Sequence, residues 1–383
     1  MSRAEWVAVD TMRLSASQCT KFFSQDYGHR VPSFLSNQSR DQKPISHRPH
    51  SQYHLPFEFQ FATSNMTISI IICTRNRADS LQETLVSIGK TNVREGWRVE
   101  LIVVDNNSSD HTAAVVNNMR LTNVHLRYVN APIAGQCQAR NAGLREAKGE
   151  IILFTDDDIR VPRNWIPAMC EPITNQVADA VTGGVDFPPN VPALSQRPFS
   201  SLRSWFACTE DLDPRRPARM VGANMAFHRR ILDRIPGFDV ELGPGALGFG
   251  DDSLFSRQIQ AAGYKLVGAL DVVVEHHFDL SRLTKNRLIT LARNMGRTRA
   301  FLSHHWEHEV VRRSRRKFIR TKLQQLWARR FALVGERTDT NEFVHALKME
   351  QDHAYYAEYF VQRKRPFKYC LRGLKPIASE FGS

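Results

Sequence analysis

The sequence has no Cys-x-x-Cys pair: its six cysteines, Cys19, Cys73, Cys137, Cys170, Cys208 and Cys370, are scattered singly. That spacing signals neither a structural zinc site nor a disulfide framework, and it suits a reducing cytosol. No apolar run reaches the length of a membrane span, and the N-terminus lacks the basic-then-apolar plan of a secretion signal. The expectation is a cytoplasmic protein, soluble or peripheral at the cytoplasmic face of a membrane. There is no internal repeat, and the absence of a recognised nucleic-acid module leaves no specific nucleic acid as an expected partner. Acidic residues are in the minority, 39 against 52 Lys and Arg, giving a formal net charge of +13. Such a balance favours encounter with an acidic partner, whether a phosphorylated substrate, an anionic membrane surface or nucleic acid, without choosing among them.

What is present is enough for a large core: 383 residues, 42% hydrophobic and 24% charged. Residues 1–65 are rich in Ser, Gln, His and Arg, carry Pro32, Pro44, Pro49 and Pro56, and show little periodicity; they read as a disordered N-terminal extension. Met66 stands directly before the first convincing strand, so translation is expected to start there. From residue 66 to 160, strand candidates at Ile68–Cys73, Glu100–Val104, Val124–Val129 and Ile151–Phe154 alternate with helical patterns. These patterns are Leu81, Leu85 and Ile88, a segment capped by Ser109 or Asp110 and running to Met119, and Gln136–Ala147. The alternation predicts an α/β fold, a Rossmann-like, mostly parallel sheet flanked by helices. Residues 161–280 are richer in Pro and Gly, with strands expected at Ala180–Asp186 and Val272–Glu275, a poorly patterned stretch near Pro188–Pro198, and a helix from Asp252 to Ala262 stopped by Gly263. Residues 281–383 read as a basic helical C-terminal extension.

In an open parallel sheet, ligands sit beyond the carboxyl ends of the strands. Thr74–Arg77, Asp105–Asn107 and Asp156–Asp158 all fall at such ends. A buried strand closing in small, polar and basic residues can meet a base, a ribose and phosphates. Carboxylates behind a second buried strand can hold a divalent cation against a diphosphate. The pair of features suggests a nucleotide-sugar site.

Six short motifs occur in order: Cys73-Thr74-x-Asn76-Arg77, Val104-Asp105-Asn106-x-Ser108, Gly135-x-x-x-Ala139-Arg140-Asn141, Asp156-Asp157-Asp158, Gly222-Ala223-Asn224 and Gly250-Asp251-Asp252. Over residues 66–280 this order resembles glycosyltransferase family 2, with its A-type nucleotide-sugar fold. The resemblance implies a metal-assisted inverting glycosyltransferase that takes a sugar from a nucleotide-sugar donor, a UDP-sugar, to a hydroxyl of a glycan or lipid-linked acceptor. It divides the catalytic region into a nucleotide-binding half, 66–160, and an acceptor-side half, 161–280.

The resemblance also implies roles. Thr74 and Arg77 would line the nucleotide pocket, Asp105 would meet the base, and Arg140 would approach the pyrophosphate. Asp156, Asp157 and Asp158 would form the acidic centre: Asp156, near the ribose, and Asp157 would bind the nucleotide-sugar, and Asp156 and Asp158 would hold Mn²⁺ or Mg²⁺ with His276 as a further metal ligand. Asn224 would reach the sugar. Asp252 would be the general base, with Asp251 as the alternative, since the sequence does not show which points inward. Trp165, Trp205 and Phe249 are aromatic candidates for the sugar ring, with core packing as their default. His304, His305 and His308 read as a solvated helical face rather than a metal site, for want of a matching carboxylate. Two other functions compete: a catalytically silent scaffold of the same fold, which the full acidic set argues against, and nucleic-acid binding through the basic C-terminal region. The basic helices are expected instead to meet an anionic membrane surface or a phosphorylated lipid carrier.

Overall fold

Ile68, Ile70, Ile71 and Ile72 are each at most 1% exposed, which requires a strand covered on both faces, the condition of a parallel sheet sandwiched by helices. The computed structural model describes residues 65–188, 199–331 and 341–377. The expectation for residues 1–65 falls, but for its last residue, outside the described residues, as does most of the stretch from Pro188 to Pro198. The sheet has eight strands: β1 (Thr67–Thr74), β2 (Arg98–Asp105), β3 (His125–Asn130), β4 (Ile151–Asp156), β5 (Ile159–Arg160), β6 (Ala180–Asp186), β7 (Asn224–His228) and β8 (Leu266–His276). Their spatial order is β3-β2-β1-β4-β7-β6-β8-β5. Only β7 and β5 run against the rest.

The helices are α1 (Ala78–Gly89), α2 (Thr112–Asn118), α3 (Gln136–Glu146), α4 (Trp165–Thr174), α5 (Asp251–Ala261), α6 (Lys285–His305), α7 (Ser314–Phe331) and α8 (Asn341–Gln362). The two-residue period of β1 and β2 splits the core. Ile70, Ile72, Leu101 and Val103 pack with Leu81, Leu85 and Ile88 of α1 and with Trp165 and Met169 of α4. Ile71, Ile102 and Val104 join Phe154, Phe227 and Phe255 on the opposite face, against α3 and α5.

Register carries the functional residues to one level. Thr74 pairs with Asp105 and Cys73 with Asp156, so β1, β2 and β4 end together. The chain leaves β1 towards β2 and β3 on one side and continues through β4 on the other, making a topological switch point at these ends. The short strand β5 then pairs Ile159 with His276, folding the residues after β4 against the end of β8.

Several boundaries differ from the sequence expectations. The second helix begins at Thr112, not directly after Asp110. The Asp110 carboxylate accepts from the Thr112 amide at 3.1 Å and the Ala78 amide at 3.0 Å, tying two helix starts together. α4 and β7 had no sequence signal. Pro167 and Pro172 mask the helix, and β7 is only five residues long. β8 starts at Leu266 because it pairs with all of β6, through a register shift at Gly183 and Gly184 that Gly268 and Asp271 conceal in the sequence.

Beyond the sheet, α8 packs along α6 and α7. Gly296 makes the first contact close: a Cβ there would lie 2.1 Å from the Gln351 carbonyl oxygen. The segment after α8 returns to the sheet side, where Lys368 Nζ and the Tyr369 hydroxyl each lie 2.6 Å from the buried Asp239 carboxylate. Among the described residues, no helix is long and apolar enough to cross a membrane.

Candidate functional site

A cavity of about 500 Å³ opens at the switch point, lined by Thr74, Arg77, Asp156, Asp157, Asp158, Asp252, His276 and Arg282 among others. Its acidic wall is the turn after β4. Asp157 accepts from the Thr74 hydroxyl at 2.7 Å and from Arg77 Nη1 at 2.7 Å, while Asp158 takes a second 2.7 Å contact from the same Arg77 nitrogen. The Asp157 carbonyl is held by Ser80 at 3.0 Å and Thr84 at 2.8 Å, which fixes the turn to α1.

Three adjacent carboxylates repel one another, and their environments separate them. Burial pushes Asp157 up to about 6 against the pull of Arg77. Burial acts the same way on Asp158, but the His276 ring and Arg77 outweigh it and hold that carboxyl well below the ordinary range. Asp156 is raised by burial despite Arg140 nearby.

His276 faces two acceptors. Its Nδ1 is 3.0 Å from the Phe206 carbonyl, which can only accept, so Nδ1 carries the proton. Nε2 is 3.3 Å from Asp158 Oδ1. Nε2 and the carboxylate oxygen therefore face each other across a gap that either a proton on Nε2 or a shared cation bridges. Among the described residues no group of three or more His, Cys, Asp or Glu could hold a metal unaided. Two protein ligands completed by diphosphate oxygens and water remain a suitable setting for Mg²⁺ or Mn²⁺. The donor set fits such an ion.

The other wall is the start of α5. Gly250 has φ +83°, and a Cβ there would also lie 2.3 Å from Thr298 Cγ2, so glycine is required twice over. The two following aspartates differ. Asp251 is buried and ion-paired to Arg140 Nη1. Asp252 lines the cavity, accepting from the Gly222 amide at 3.2 Å. Burial, reinforced by the Asp251 charge, raises Asp252 to about 6.

The sequence candidates therefore divide into those on the cavity and those behind it. Thr74, Arg77, Asp156, Asp157, Asp158, Asp252 and His276 line it. Arg140 is 4% exposed, lies between Asp251 and Asp156, and stacks over Phe154 and Phe238. Asp105 is buried, accepting from the Ser108 amide and the Tyr128 hydroxyl, each at 2.8 Å. Asn224 is fully buried: its oxygen accepts from Trp165 Nε1, and its nitrogen donates to the Gly184 and Val272 carbonyls, all at 2.9 Å. Of the aromatic candidates, Trp205 and Phe249 reach the cavity, whereas Trp165 is core. His304, His305 and His308 are packed rather than solvated. Each has a ring nitrogen about 3 Å from an oxygen of the segment that follows α8 or of Gln362 within it.

Sequence reasoning missed Arg282. Burial lowers its pKa, it stacks on Phe206 and Phe278, and it has no carboxylate within ion-pair distance among the described residues. One arginine in a strongly basic segment carries no distinguishing signal; only the turn at Leu280–Leu283 aims it inward. Asn106 was quoted only as part of a motif. Its side chain ties the end of β2 to the Gly135 loop, accepting from the Gly135 amide at 2.8 Å.

Residues 69–235 match the family model described as glycosyl transferase family 2. The chain is 26% identical over 211 residues to glycosyltransferase AglE of Haloferax volcanii, covering 55% of this chain and 66% of the relative. It is 36% identical over 93 residues to the GalNAc(5)-diNAcBac-PP-undecaprenol beta-1,3-glucosyltransferase of Campylobacter jejuni, covering 24% and 29%. The matches thus span less than two thirds of these curated relatives. Among solved structures, the mannosyltransferase PcManGT of Pyrobaculum calidifontis, in complex with GDP-Man and Mn²⁺, superposes with a TM-score of 0.45 at 20% identity over 77% of this chain and 74% of that one. Over residues 69–235, which hold five of the six ordered motifs, the chain matches glycosyl transferase family 2.

Proposed function

We propose that the protein is an inverting glycosyltransferase moving one sugar from a nucleotide donor, a UDP-sugar, to a hydroxyl of a glycan or lipid-linked acceptor. The observation that carries this reading is that one cavity holds Asp156–Asp158 and His276 on one wall and, on another, Asp252, which makes no ion pair among the described residues. The name of the Campylobacter relative, which acts on an undecaprenol-linked glycan, supports a lipid-linked acceptor.

In the proposed reaction Asp252 takes the proton of the acceptor hydroxyl. That oxygen forms a bond to the anomeric carbon as the bond from this carbon to the diphosphate oxygen breaks, its electron pair leaving on the nucleoside diphosphate. A single displacement from the opposite face inverts the anomeric centre. Its raised pKa suits Asp252 to a base working near neutral pH. Arg282 and Arg77 would bind the diphosphate, and Thr74 would keep Asp157 oriented through their 2.7 Å hydrogen bond. Asp158 and His276, with Asp156 beside them, would hold a divalent cation, which when bound would offset charge on the departing diphosphate. Arg140, rather than touching the pyrophosphate, fixes Asp251 and Asp156 from behind.

The test is calorimetric titration of UDP, GDP and their sugar conjugates with Mn²⁺, with Mg²⁺ and with EDTA, on the wild type and Asp158→Ala. Metal-dependent binding of one nucleotide, lost in the variant, is the expected result. A folded wild type that binds none of them would overturn the reading.

A further inference from the structure

Helix α7 is inverted in its polarity. The side chains it buries include Ser314, Thr321, Gln325 and Ala328. Its outward side carries Ile319, Leu323, Leu326 and Trp327, which are 60%, 63%, 50% and 50% exposed. At 3.6 residues per turn, these four fall on an arc about 100° wide, opposite the packed face. A surface helix ordinarily shows the reverse distribution, and a contiguous exposed apolar stripe marks a surface that something covers.

The charge on the same helix narrows the occupant. Its sequence, SRRKFIRTKLQQLWARRF, holds seven cationic residues and no acidic one. Arg316 and Arg330 fall inside the apolar arc, and Arg315 and Arg320 at its edges. A second copy of this chain would set like charges against like. Nucleic acid would satisfy the arginines and leave the aliphatic side chains in water. An anionic lipid surface meets both demands: leucine, isoleucine and tryptophan enter the headgroup boundary while long cationic side chains stay at phosphate level.

We propose that α7 is a membrane-docking helix, lying in the plane of an anionic bilayer with Ile319, Leu323, Leu326 and Trp327 inserted. This deepens the proposed use of a lipid-linked acceptor and rests on it for its purpose, although binding itself is read without any transfer. α7 packs on α8, and α8 on α6, whose N-terminus follows the turn that carries Arg282. The docking face therefore belongs to the helical layer that reaches the cavity.

Full-length protein is floated with phosphatidylcholine vesicles, and with vesicles in which about a third of the lipid is phosphatidylglycerol. Binding to the anionic vesicles alone is expected. Leu323→Gln/Leu326→Gln and Arg316→Gln/Arg320→Gln should each weaken it at least about tenfold, the second with a smaller salt dependence. Brominated anionic lipid should quench tryptophan fluorescence in the wild type and less in Trp327→Phe, a readout that needs no change to the packed face. No preference for anionic vesicles, or binding that all these variants retain, would overturn the proposal. So would self-association or random-DNA binding that Leu323→Gln/Leu326→Gln abolishes while vesicles stay unbound. Nucleotide titration of the same samples separates the two readings: vesicle binding without nucleotide binding sinks the transferase, not the docking helix.

Discussion

Asp251 and Asp252 are neighbours of one chemical type whose surroundings give them opposite energetics. Asp251 balances the buried Arg140, so Asp251→Asn leaves a desolvated guanidinium short of its main partner and should cost about 2–4 kcal/mol of stability. Asp252 is held ionised against burial and against Asp251, its pKa raised to about 6. A carboxyl whose folded pKa exceeds its unfolded value costs stability once both states are ionised, and that cost disappears as pH falls below the folded pKa. Asp252→Asn should therefore raise stability at pH 7, by about 1–3 kcal/mol, while abolishing transfer. The same protonation predicts an acid limb near pH 6 in kcat/KM, with activity falling as Asp252 gains its proton. Urea unfolding of both variants beside a transfer assay checks the pair; a destabilised Asp252→Asn, or an active one, would reverse the assignment. Sequence alone placed both residues at a helix start, which suits capping as well as catalysis. What separates them is Arg140, 111 residues away from Asp251 in the chain.

Among the elements, α6, α7 and α8 meet at one carboxylate. Glu350 is fully buried and accepts from Arg293 and Arg329 at 2.8 Å and from Gln325 at 2.9 Å. Burial alone would raise its pKa, but the hydrogen bonds from Arg329, Arg293 and Gln325 dominate and bring it to about 2. A depressed carboxyl pKa contributes stability above the unfolded value, here near 4.5, which is lost as pH falls towards 2. Because both arginines are partly in water, the contribution is about 1–3 kcal/mol. Glu350→Gln should remove it and flatten stability between pH 5 and 2, as measured by thermal melts across that range. None of this network was legible in a sequence whose C-terminal region reads only as helical and basic. The strands β1, β2, β4 and β6 were legible as runs dominated by apolar or β-branched residues, although Glu100 interrupts β2 and Gly183 and Gly184 interrupt β6. α4 was not, since two prolines sit in its ten residues, and β7 is defined by its neighbours β4 and β6 rather than by its own pattern. The acidic turn and the Gly250-Asp251-Asp252 start were legible as motifs. The partners that orient them, Phe206 for His276 and Gly222 for Asp252, come from backbone atoms of distant segments, which no side-chain pattern records.

At the scale of the whole molecule, the cavity's walls come from segments far apart in the chain, and the segment after α8 braces one of them. Tyr369 and Lys368 converge on Asp239, and Arg365 and Lys368 on Glu241 at 2.7 and 2.9 Å. These contacts pin the start of the stretch that supplies Pro244, Gly245 and Phe249 to the cavity and runs directly into Gly250 and α5. Asp239 is buried, so a lost donor is not replaced by bulk water. Tyr369→Phe removes one hydrogen bond to a buried carboxylate and should cost about 1–3 kcal/mol. Its functional effect should be one-sided. The acidic wall hangs on β4, Thr74, Ser80 and Thr84, whereas the Tyr369 hydroxyl bonds to Asp239, so nucleotide affinity should stay within error of the wild type. The wall that carries Asp252, the proposed base, depends on the pinned loop, so kcat should fall severalfold, because loosening a positioning segment misplaces the reacting groups. Nucleotide calorimetry and initial-rate kinetics on one preparation of Tyr369→Phe check both halves. A loss of nucleotide affinity at unchanged kcat would mean that the C-terminal segment braces the donor wall instead.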